Sequence, residues 1–128
     1  MFPDDLRYTR EHEWVRIEDD QATVGITEYA QDELGDIVYV ELPKAGEKFA
    51  QMETFAVIES VKAVSDLYCP LSGEILAPND ELVARPELAN ESPYADGWMI
   101  RIRPASLEEV ENLMTAAEYE ALVSGLRT

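Results

Sequence analysis

Lys62 is the residue whose type and setting best suit covalent chemistry. The lysines of the chain are Lys44, Lys48 and Lys62, and only Lys62 stands within an apolar, β-branched run, between Val61 and Ala63. On a strand or a tight turn these neighbours would point away and leave the amine projecting alone. Such an amine can be acylated, because small or apolar neighbours let a modifying enzyme approach. The same pattern also fits an ordinary edge-strand lysine that discourages aggregation.

Other nucleophilic or metal-binding side chains are scarce. Cys69 is the single cysteine, which fits a reducing compartment, and its apolar neighbours predict a small buried side chain rather than a reactive thiol. His12, the single histidine, has no Cys or His companions for a metal site. An enzyme built on this chain would need a pair of carboxylates, for which Glu13 and Asp66 are the candidates. A role in binding or carrying is therefore favoured over catalysis.

The chain is strongly acidic. Ten basic residues face 27 acidic ones, which gives a formal net charge of -17 over 128 residues. Nucleic acid and membranes are not expected as partners, because phosphate backbones and anionic lipid surfaces would be repelled. Met1–Asp5 has neither the basic start nor the apolar stretch of a signal peptide, and we expect a cytoplasmic monomer. The charge fits either solubility at high concentration or steering towards basic patches on partner proteins.

The first two-thirds of the chain read as short strands separated by turns. The length and the hydrophobic fraction of 46% predict one domain, residues 1–128, with a packed core. The strand segments are too short and too evenly spaced for parallel βαβ units, so they predict a mainly β fold, an antiparallel sandwich or flattened barrel. The predicted strands are Trp14–Ile17, Ala22–Ile26, Asp36–Leu42, Thr54–Ile58, Val61–Val64, Gly73–Leu76 and Trp98–Ile102.

Short helices are expected around these strands. Thr27 can cap a helix that ends at Leu34, with Gly35 taking a left-handed conformation after it. Residues 79–97, rich in proline, predict a long ordered loop with about one turn of helix. The C-terminal tail, about residues 106–124, is expected to form two short helices that begin at the capping boxes Ser106–Glu109 and Thr115–Glu118.

A faint internal repeat accompanies the strands. Pro43–Glu47 and Pro70–Glu74 share the pattern Pro-x-x-Gly-Glu. If the repeat is structural, each turn leads into a corresponding strand on either half of one sandwich, with the Lys62 segment between them.

Segments in one register from about Leu6 to Leu122 resemble the H proteins of glycine cleavage systems. The resemblance is specific because the segments occur in the right order along almost the whole chain. They are Tyr8–Val15 with its Glu-His-Glu-Trp motif, Gly25–Gln31, Leu34–Pro43, Glu59–Asp66 with its Glu-Ser-Val-Lys-Ala motif, Asn90–Tyr94, and Gly97–Trp98.

The resemblance implies a lipoyl-domain-like β-sandwich with added helices and a lipoyl group bound covalently to Lys62. Glu59, Val61, Ala63 and Asp66 complete the segment around the attachment site, and Glu59 and Asp66 would guide recognition by a lipoate ligase or a lipoyl or octanoyl transferase. The acylated nitrogen is a neutral amide. The dithiolane at the end of the stem accepts a carbanion and is regenerated by thiol–disulfide chemistry.

The resemblance also implies a carrier that is not itself an enzyme. The P protein, a pyridoxal-phosphate decarboxylase, would place the aminomethyl group of glycine on the lipoyl sulfur. The T protein would pass the one-carbon unit to tetrahydrofolate, and the L protein, a flavoenzyme, would reoxidise the dithiol with NAD. An H-like protein that relays lipoyl or octanoyl groups to other acceptors remains an alternative.

In the family the loaded arm folds back into a surface cleft where carboxylates meet its ammonium group. The matching residues are Glu13 and Asp66, since a partly buried cation needs such partners. In so acidic a chain both could instead be solvated surface carboxylates. Glu33 stands where some relatives have a histidine beside the cleft, and Gln51–Met52 replaces a common Lys-Gly turn, which removes a residue that tolerates positive φ.

Two other carriers share the fold and a modified lysine. A biotin carrier usually has its lysine between methionines, whereas Lys62 lies between Val61 and Ala63. A lipoyl domain of a 2-oxoacid dehydrogenase would be tethered by a flexible linker, and the sequence contains no Pro/Ala-rich linker. A biotin carrier and a dehydrogenase lipoyl domain therefore fit the sequence less well than an H protein does.

Overall fold

The structure is a computed structural model, and it describes residues 2–127. Strands dominate the first 104 residues, and helices join them and close the chain. The strands are β1 (Arg7–Tyr8), β2 (Glu13–Glu18), β3 (Gln21–Ile26), β4 (Ile37–Glu41), β5 (Lys48–Phe49), β6 (Thr54–Ser60), β7 (Val64–Tyr68), β8 (Gly73–Pro78) and β9 (Ile100–Pro104). The helices are α1 (Glu28–Leu34), α2 (Asp80–Ala84), α3 (Leu88–Glu91), a 3₁₀ helix (Leu107–Asn112) and α4 (Ala116–Arg127).

The strands form two antiparallel sheets. One sheet has six strands in the order β1-β2-β3-β9-β8-β5, and the other has three in the order β4-β6-β7. The main core lies between the sheets, where inward side chains such as Val24, Ile58, Ile75 and Ile102 are almost completely buried. The predicted mainly β antiparallel sandwich is confirmed, and over residues 2–127 the sheets stay separate rather than closing into a barrel.

The first hairpin follows the sequence pattern closely. Strands β2 and β3 pair from Glu13↔Ile26 to Glu18↔Gln21. Asp19 takes a positive φ of 56° in the turn, a conformation that a short polar side chain tolerates. The hairpin predicted from Trp14–Ile17 and Ala22–Ile26 is therefore confirmed.

Helix α1 begins and ends as its sequence predicts. The Thr27 hydroxyl accepts a hydrogen bond from the backbone N–H of Ala30, and the N–H of Gly35 donates to the carbonyl of Gln31. Gly35 has φ 77° and ψ -157°, a combination that is almost restricted to glycine.

A second, aromatic cluster fixes the C-terminal helix. Phe2, Tyr8, Trp14 and Tyr29 pack with Tyr119 of α4, and the two rings of Tyr8 and Tyr119 stack with centroids 4.7 Å apart. The capping box predicted at the start of α4 is present, because Thr115 N–H donates to the Glu118 carboxylate and Glu118 N–H donates to the Thr115 hydroxyl. Helix α4 is thereby joined to the N-terminal segment and to α1.

The predicted capping box at Ser106 is wrong. The segment Leu107–Asn112 forms a 3₁₀ helix, and the Ser106 hydroxyl accepts from the N–H of Glu108. The carboxylate of Glu109 instead accepts hydrogen bonds from the N–H and hydroxyl of Ser72. A tertiary contact thus takes the side chain that would have completed the box.

The predicted placement of the two repeat turns on opposite halves of the sandwich is wrong. Strands β5 and β8, which follow the two Pro-x-x-Gly-Glu turns, pair with each other in the same six-stranded sheet. The first turn also bonds to strand β8, since Ile75 N–H donates to the Glu47 carbonyl and Gly46 N–H donates to the Ile75 carbonyl. The segments therefore do not occupy opposite halves of the sandwich.

Two further expectations need correction. Residues 79–97 contain the two short helices α2 and α3 rather than about one turn, and the Asn79 side chain holds the segment by donating to the carbonyls of Asp96 and Trp98. The predicted strand Val61–Val64 is wrong, because residues 61–63 form the turn between β6 and β7. Val61 and Val64 favour a strand, but the Ser60 hydroxyl stabilises the turn.

Candidate functional site

Lys62 lies at the tip of the β6–β7 hairpin. The Ser60 hydroxyl accepts hydrogen bonds from the backbone N–H groups of Lys62 and Ala63, both at 3.1 Å. The N–H of Ser60 donates to the Ala63 carbonyl at 2.8 Å, and the N–H of Val61 donates to the Asp36 carbonyl at 3.0 Å. The backbone under Lys62 is therefore held on both sides, while its side chain is exposed.

The stem of Lys62 lies over the end of helix α1. A Cβ atom added to Gly35 would lie 3.2 Å from the Lys62 Cε and 3.7 Å from a methyl group of Val61. Gly35 therefore leaves room for the lysine stem as well as adopting its positive φ. The loop at Gly35 and Asp36 and the hairpin of Lys62 form one continuous surface.

Gly35→Ala is expected to lower the free energy of unfolding by about 1–3 kcal/mol, because a side chain at this φ and ψ is strained. Chemical denaturation measures the loss. The contact with Lys62 should contribute little, since the flexible lysine stem can move aside.

A double-mutant cycle with Lys62→Ala separates the two causes. The cost of Gly35→Ala should be the same in both backgrounds. Recovery of stability when the lysine stem is shortened would show instead that crowding, and not backbone strain, causes the loss.

The residues around Lys62 form an exposed acidic and apolar face. Cross-strand pairing sets Tyr39, Glu59 and Val64 in one row and Glu41, Val57 and Asp66 in the next. Val61 and Val64 are 66% and 68% exposed, and Glu59, Ala63 and Asp66 are also exposed. The sequence-predicted residues of the lysine segment therefore lie together around Lys62 at one end of the small sheet.

Glu13 is a buried carboxylate that joins the two sheets. It lies on β2 and is 0% exposed. One carboxylate oxygen accepts a hydrogen bond from the Thr9 hydroxyl, and the other accepts from the N–H of Tyr68 on β7, at 3.1 Å. Burial raises the pKa of Glu13 from its ordinary value of 4.5 to about 7, and the two hydrogen bonds oppose part of that rise. The alternative of a solvated surface carboxylate is excluded for Glu13.

Glu13 and Asp66 are not brought into one cluster with Lys62. Asp66 is exposed on the face of β7, whereas Glu13 meets the backbone of the same strand at Tyr68. From Val64 to Tyr68 the strand covers roughly 13 Å. An arm that starts at Lys62 would have to run the length of β7 to reach Glu13. A cleft of about 370 Å³ opens beside Thr9 and is also lined by Gln51 and Met52.

His12 lies next to Glu13 in a positive-φ conformation, with φ 76°. Its Nδ1 is 2.8 Å from the Tyr119 hydroxyl, and its ring lies 4.8 Å from the ring of Tyr29. Burial lowers the pKa of His12, while Glu11 and Glu33 oppose that shift. Glu33 accepts a long hydrogen bond from the Tyr29 hydroxyl.

Trp14 and Cys69 are buried side chains of the two cores. Trp14 is buried, and its indole N–H donates to the Pro93 carbonyl at 3.0 Å. The guanidinium group of Arg101 lies over the ring of Trp98. Cys69 is buried, and burial raises the pKa of its thiol to about 12. Met52 takes φ 66°, so a methionine adopts the conformation for which the usual turn has glycine.

Sequence reasoning missed three residues that shape this site. Ser60 holds the turn, and its position two residues before the lysine is a usual signal for a side chain to backbone turn. Thr9 bonds Glu13 four residues further along the same loop, and a threonine hydroxyl that bonds nearby backbone N–H groups is a local signal of a turn. Gly35 leaves space for the lysine stem of a distant segment, and this contact has no local sequence signal.

Residues 2–127 contain neither a metal cluster nor a membrane-spanning helix. No cluster of three or more His, Cys, Asp or Glu side chains in this part of the chain could hold a metal ion. No helix in the same residues has both the length and the apolar character needed to span a membrane.

Comparison with known proteins connects this geometry to a family. Residues 6–125 match the glycine cleavage H-protein family. A glycine cleavage system H protein of Halothermothrix orenii is 56% identical over 117 residues, 91% of each chain, and one of Bacteroides thetaiotaomicron is 52% identical over 124 residues, 97% of this chain and 98% of the other.

A solved structure agrees over the same range. The crystal structure of a glycine cleavage system H protein from Mycobacterium marinum superposes with a TM-score of 0.89 at 38% identity, and the match covers 95% of this chain and 98% of that one. The sandwich, the exposed lysine turn and the sequence match therefore agree, and the chain belongs to the glycine cleavage H-protein family.

Proposed function

We propose that the chain is a lipoyl carrier of glycine cleavage in which Lys62 bears the lipoyl group. The observation that carries this proposal is the Lys62 hairpin, an exposed amine on a backbone that Ser60 and Asp36 hold in place. A modifying enzyme can reach such an amine without unfolding the sandwich. In this proposal residues 1–128 form a single carrier domain that acts with partner enzymes and is not itself an enzyme.

The residues around Lys62 fit an acylated lysine. The neutral amide formed there needs no charged partner, and the apolar Val61, Ala63 and Gly35 would contact the stem without binding it tightly. The lipoyl group, when bound, supplies a dithiolane that accepts the aminomethyl unit of glycine and can be regenerated. The chain supplies the pivot, while the P, T and L proteins supply the catalysis.

Glu13 is the residue we assign to the cationic end of the arm. Its raised pKa of about 7 means that the carboxyl group is protonated in acidic solution and divided between its two forms near neutral pH. An amine cation arriving at Glu13 would favour the ionised form, because an opposite charge in a buried setting stabilises the carboxylate. Asp66, exposed halfway along β7, would attract the same cation along its path.

The surface around Lys62 fits partners with basic binding sites. Glu41, Glu59 and Asp66 lie on one face of the small sheet, and the whole chain carries a net charge of -17. We propose that the P, T and L proteins, and a lipoate ligase or a lipoyl or octanoyl transferase, approach this face. The proposed carrier is a cytoplasmic monomer.

Intact mass and peptide mapping test the attachment. The chain is incubated with lipoate, ATP and a lipoate ligase, beside a known lipoyl domain as a positive control. We expect one added lipoyl mass, confined to the Lys62 peptide, with the Lys44 and Lys48 peptides unchanged. An unmodified Lys62 beside a modified control domain would contradict the proposal. A chain that is lipoylated but inactive with the P protein would favour the lipoyl-relay alternative.

A further inference from the structure

Tyr119 is a buried hydroxyl-bearing residue that the proposed function does not use. It lies on α4, is 0% exposed, and its ring packs against Tyr8 and Phe2, with centroids 4.7 Å and 4.8 Å away. Its hydroxyl lies 2.8 Å from Nδ1 of His12 and 2.7 Å from the hydroxyl of Thr27. A phenylalanine at position 119 would pack equally well, so packing does not explain the two polar contacts of the Tyr119 hydroxyl.

The two partners of Tyr119 lie at the junction between the Glu13 loop and helix α1, where the N–H of Thr27 donates to the His12 carbonyl at 3.0 Å. His12 lies in the loop that ends at Glu13, and the loop is closed by hydrogen bonds of Thr9 with Glu13 and His12. Thr27 caps helix α1, whose other end places Gly35 under the Lys62 stem. The Tyr119 hydroxyl therefore ties this junction to the C-terminal helix.

The direction of the hydrogen bonds can be deduced. The Thr27 hydroxyl accepts from Ala30 N–H, and its own hydrogen can be donated to Tyr119, the other partner of this hydroxyl among residues 2–127. Tyr119 then donates to Nδ1 of His12, which must be unprotonated at that nitrogen. Burial raises the pKa of Tyr119 and lowers the pKa of His12, and both shifts agree with this arrangement.

We propose that Tyr119 is a positioning residue, which holds the His12 side chain beside Glu13, ties the junction of the Glu13 loop and helix α1 to helix α4, and so sets the position of Glu13 for the cationic end of the arm. This inference rests on the proposed function of Lys62 as the lipoyl attachment site. Tyr119 touches neither the arm nor Glu13 in this role. It acts through the side chains of His12 and Thr27.

Tyr119→Phe tests the proposal, with Tyr8→Phe as the matched control. Tyr8 belongs to the same aromatic cluster, and its hydroxyl donates to the Pro3 carbonyl. Each variant keeps its ring, but Tyr8→Phe loses one hydroxyl hydrogen bond and Tyr119→Phe loses two. Tyr119→Phe should therefore lose more stability than Tyr8→Phe, so the two are compared where both are fully folded, and differences at His12 and Tyr68 then report on the position of the Glu13 loop.

Two readouts use the unmodified chain. In wild type and Tyr8→Phe, the ¹⁵N shifts of His12 should show the tautomer protonated at Nε2, with Nδ1 hydrogen-bonded. Tyr119→Phe should lose the hydrogen-bonded signature. The amide hydrogen of Tyr68, which donates to Glu13, should exchange about fivefold faster in Tyr119→Phe only, the effect of one lost hydrogen bond of average strength.

The third readout uses the lipoylated chain loaded with the aminomethyl group. Water breaks the carbon–sulfur bond, and the loaded arm plus one water gives a free thiol, formaldehyde and ammonium. Release of formaldehyde should be about fivefold faster in Tyr119→Phe than in wild type, with Tyr8→Phe unchanged.

Equal Tyr68 exchange and equal formaldehyde release in the two variants would overturn the assignment of Tyr119 and leave it a packing residue. Failure of Lys62 to accept lipoate would contradict the proposed function instead. The His12 and Tyr68 measurements on the unmodified chain would still decide on Tyr119 in that case.

Discussion

Lys62→Arg is expected to abolish glycine decarboxylation in a mixture with the P, T and L proteins. Arginine keeps the positive charge and most of the stem, but its guanidinium group does not form the lipoyl amide. The fold should be unchanged, because the Lys62 side chain is exposed and the turn is held by backbone bonds to Ser60 and Asp36. The measurement is release of carbon dioxide from labelled glycine after treatment with ligase and lipoate.

Lys48→Arg is the matched control. Lys48 is exposed on β5, in the other sheet, so this variant should retain wild-type activity. Circular dichroism and a denaturation curve establish that Lys62→Arg is folded. Activity of the folded arginine variant above the background without carrier would rule out Lys62 as the attachment site.

Glu13→Gln is expected to remove a pH dependence of stability. In the unfolded chain Glu13 ionises near its ordinary pKa of 4.5, while burial holds its pKa in the folded chain at about 7. Between these values the folded state keeps a proton that the unfolded state has released, so stability falls as pH rises. The contribution is fully present below the unfolded pKa and is lost once pH has risen through the folded pKa.

The size of the effect follows from the shift. Between about pH 4 and pH 8 the difference in unfolding free energy between Glu13→Gln and wild type should change by about 3 kcal/mol, in favour of the variant. Urea denaturation across this range measures it. Glu59→Gln, which alters an exposed carboxylate, should run parallel to wild type. A Glu13→Gln curve that also runs parallel would show that the buried carboxyl group ionises normally.

Local patterns predicted much of the fold. Alternating side chains gave the β2–β3 hairpin, and the Thr27 hydroxyl with Gly35 gave both ends of helix α1, because each signal acts within a few residues. The predicted strand Val61–Val64 failed for a local reason as well. The Ser60 hydroxyl bonds two backbone N–H groups and stabilises a turn, which overrides the preference of two valines for a strand.

The position of Glu13 could not be predicted in the same way. In a chain with 27 acidic residues nothing near Glu13 distinguishes it from a surface carboxylate. Its burial depends on Thr9, on the backbone of Tyr68 and on the packing of the two sheets. The resemblance to the family identified Glu13 as a site residue, but the rise of its pKa is caused by burial, which depends on tertiary structure.

The hydrogen bonds that Ser60 makes under Lys62 also limit where the arm can search. Because the backbone of the turn is held, a lipoyl arm on Lys62 would move about a fixed origin, and the sandwich would exclude it from the volume on its own side of the turn. Confinement raises the effective concentration of the arm at any site within reach. It also means that two partner enzymes would overlap if both engaged the arm. We therefore expect the partners to compete for one carrier molecule, so that adding an excess of one partner slows the reaction of the next.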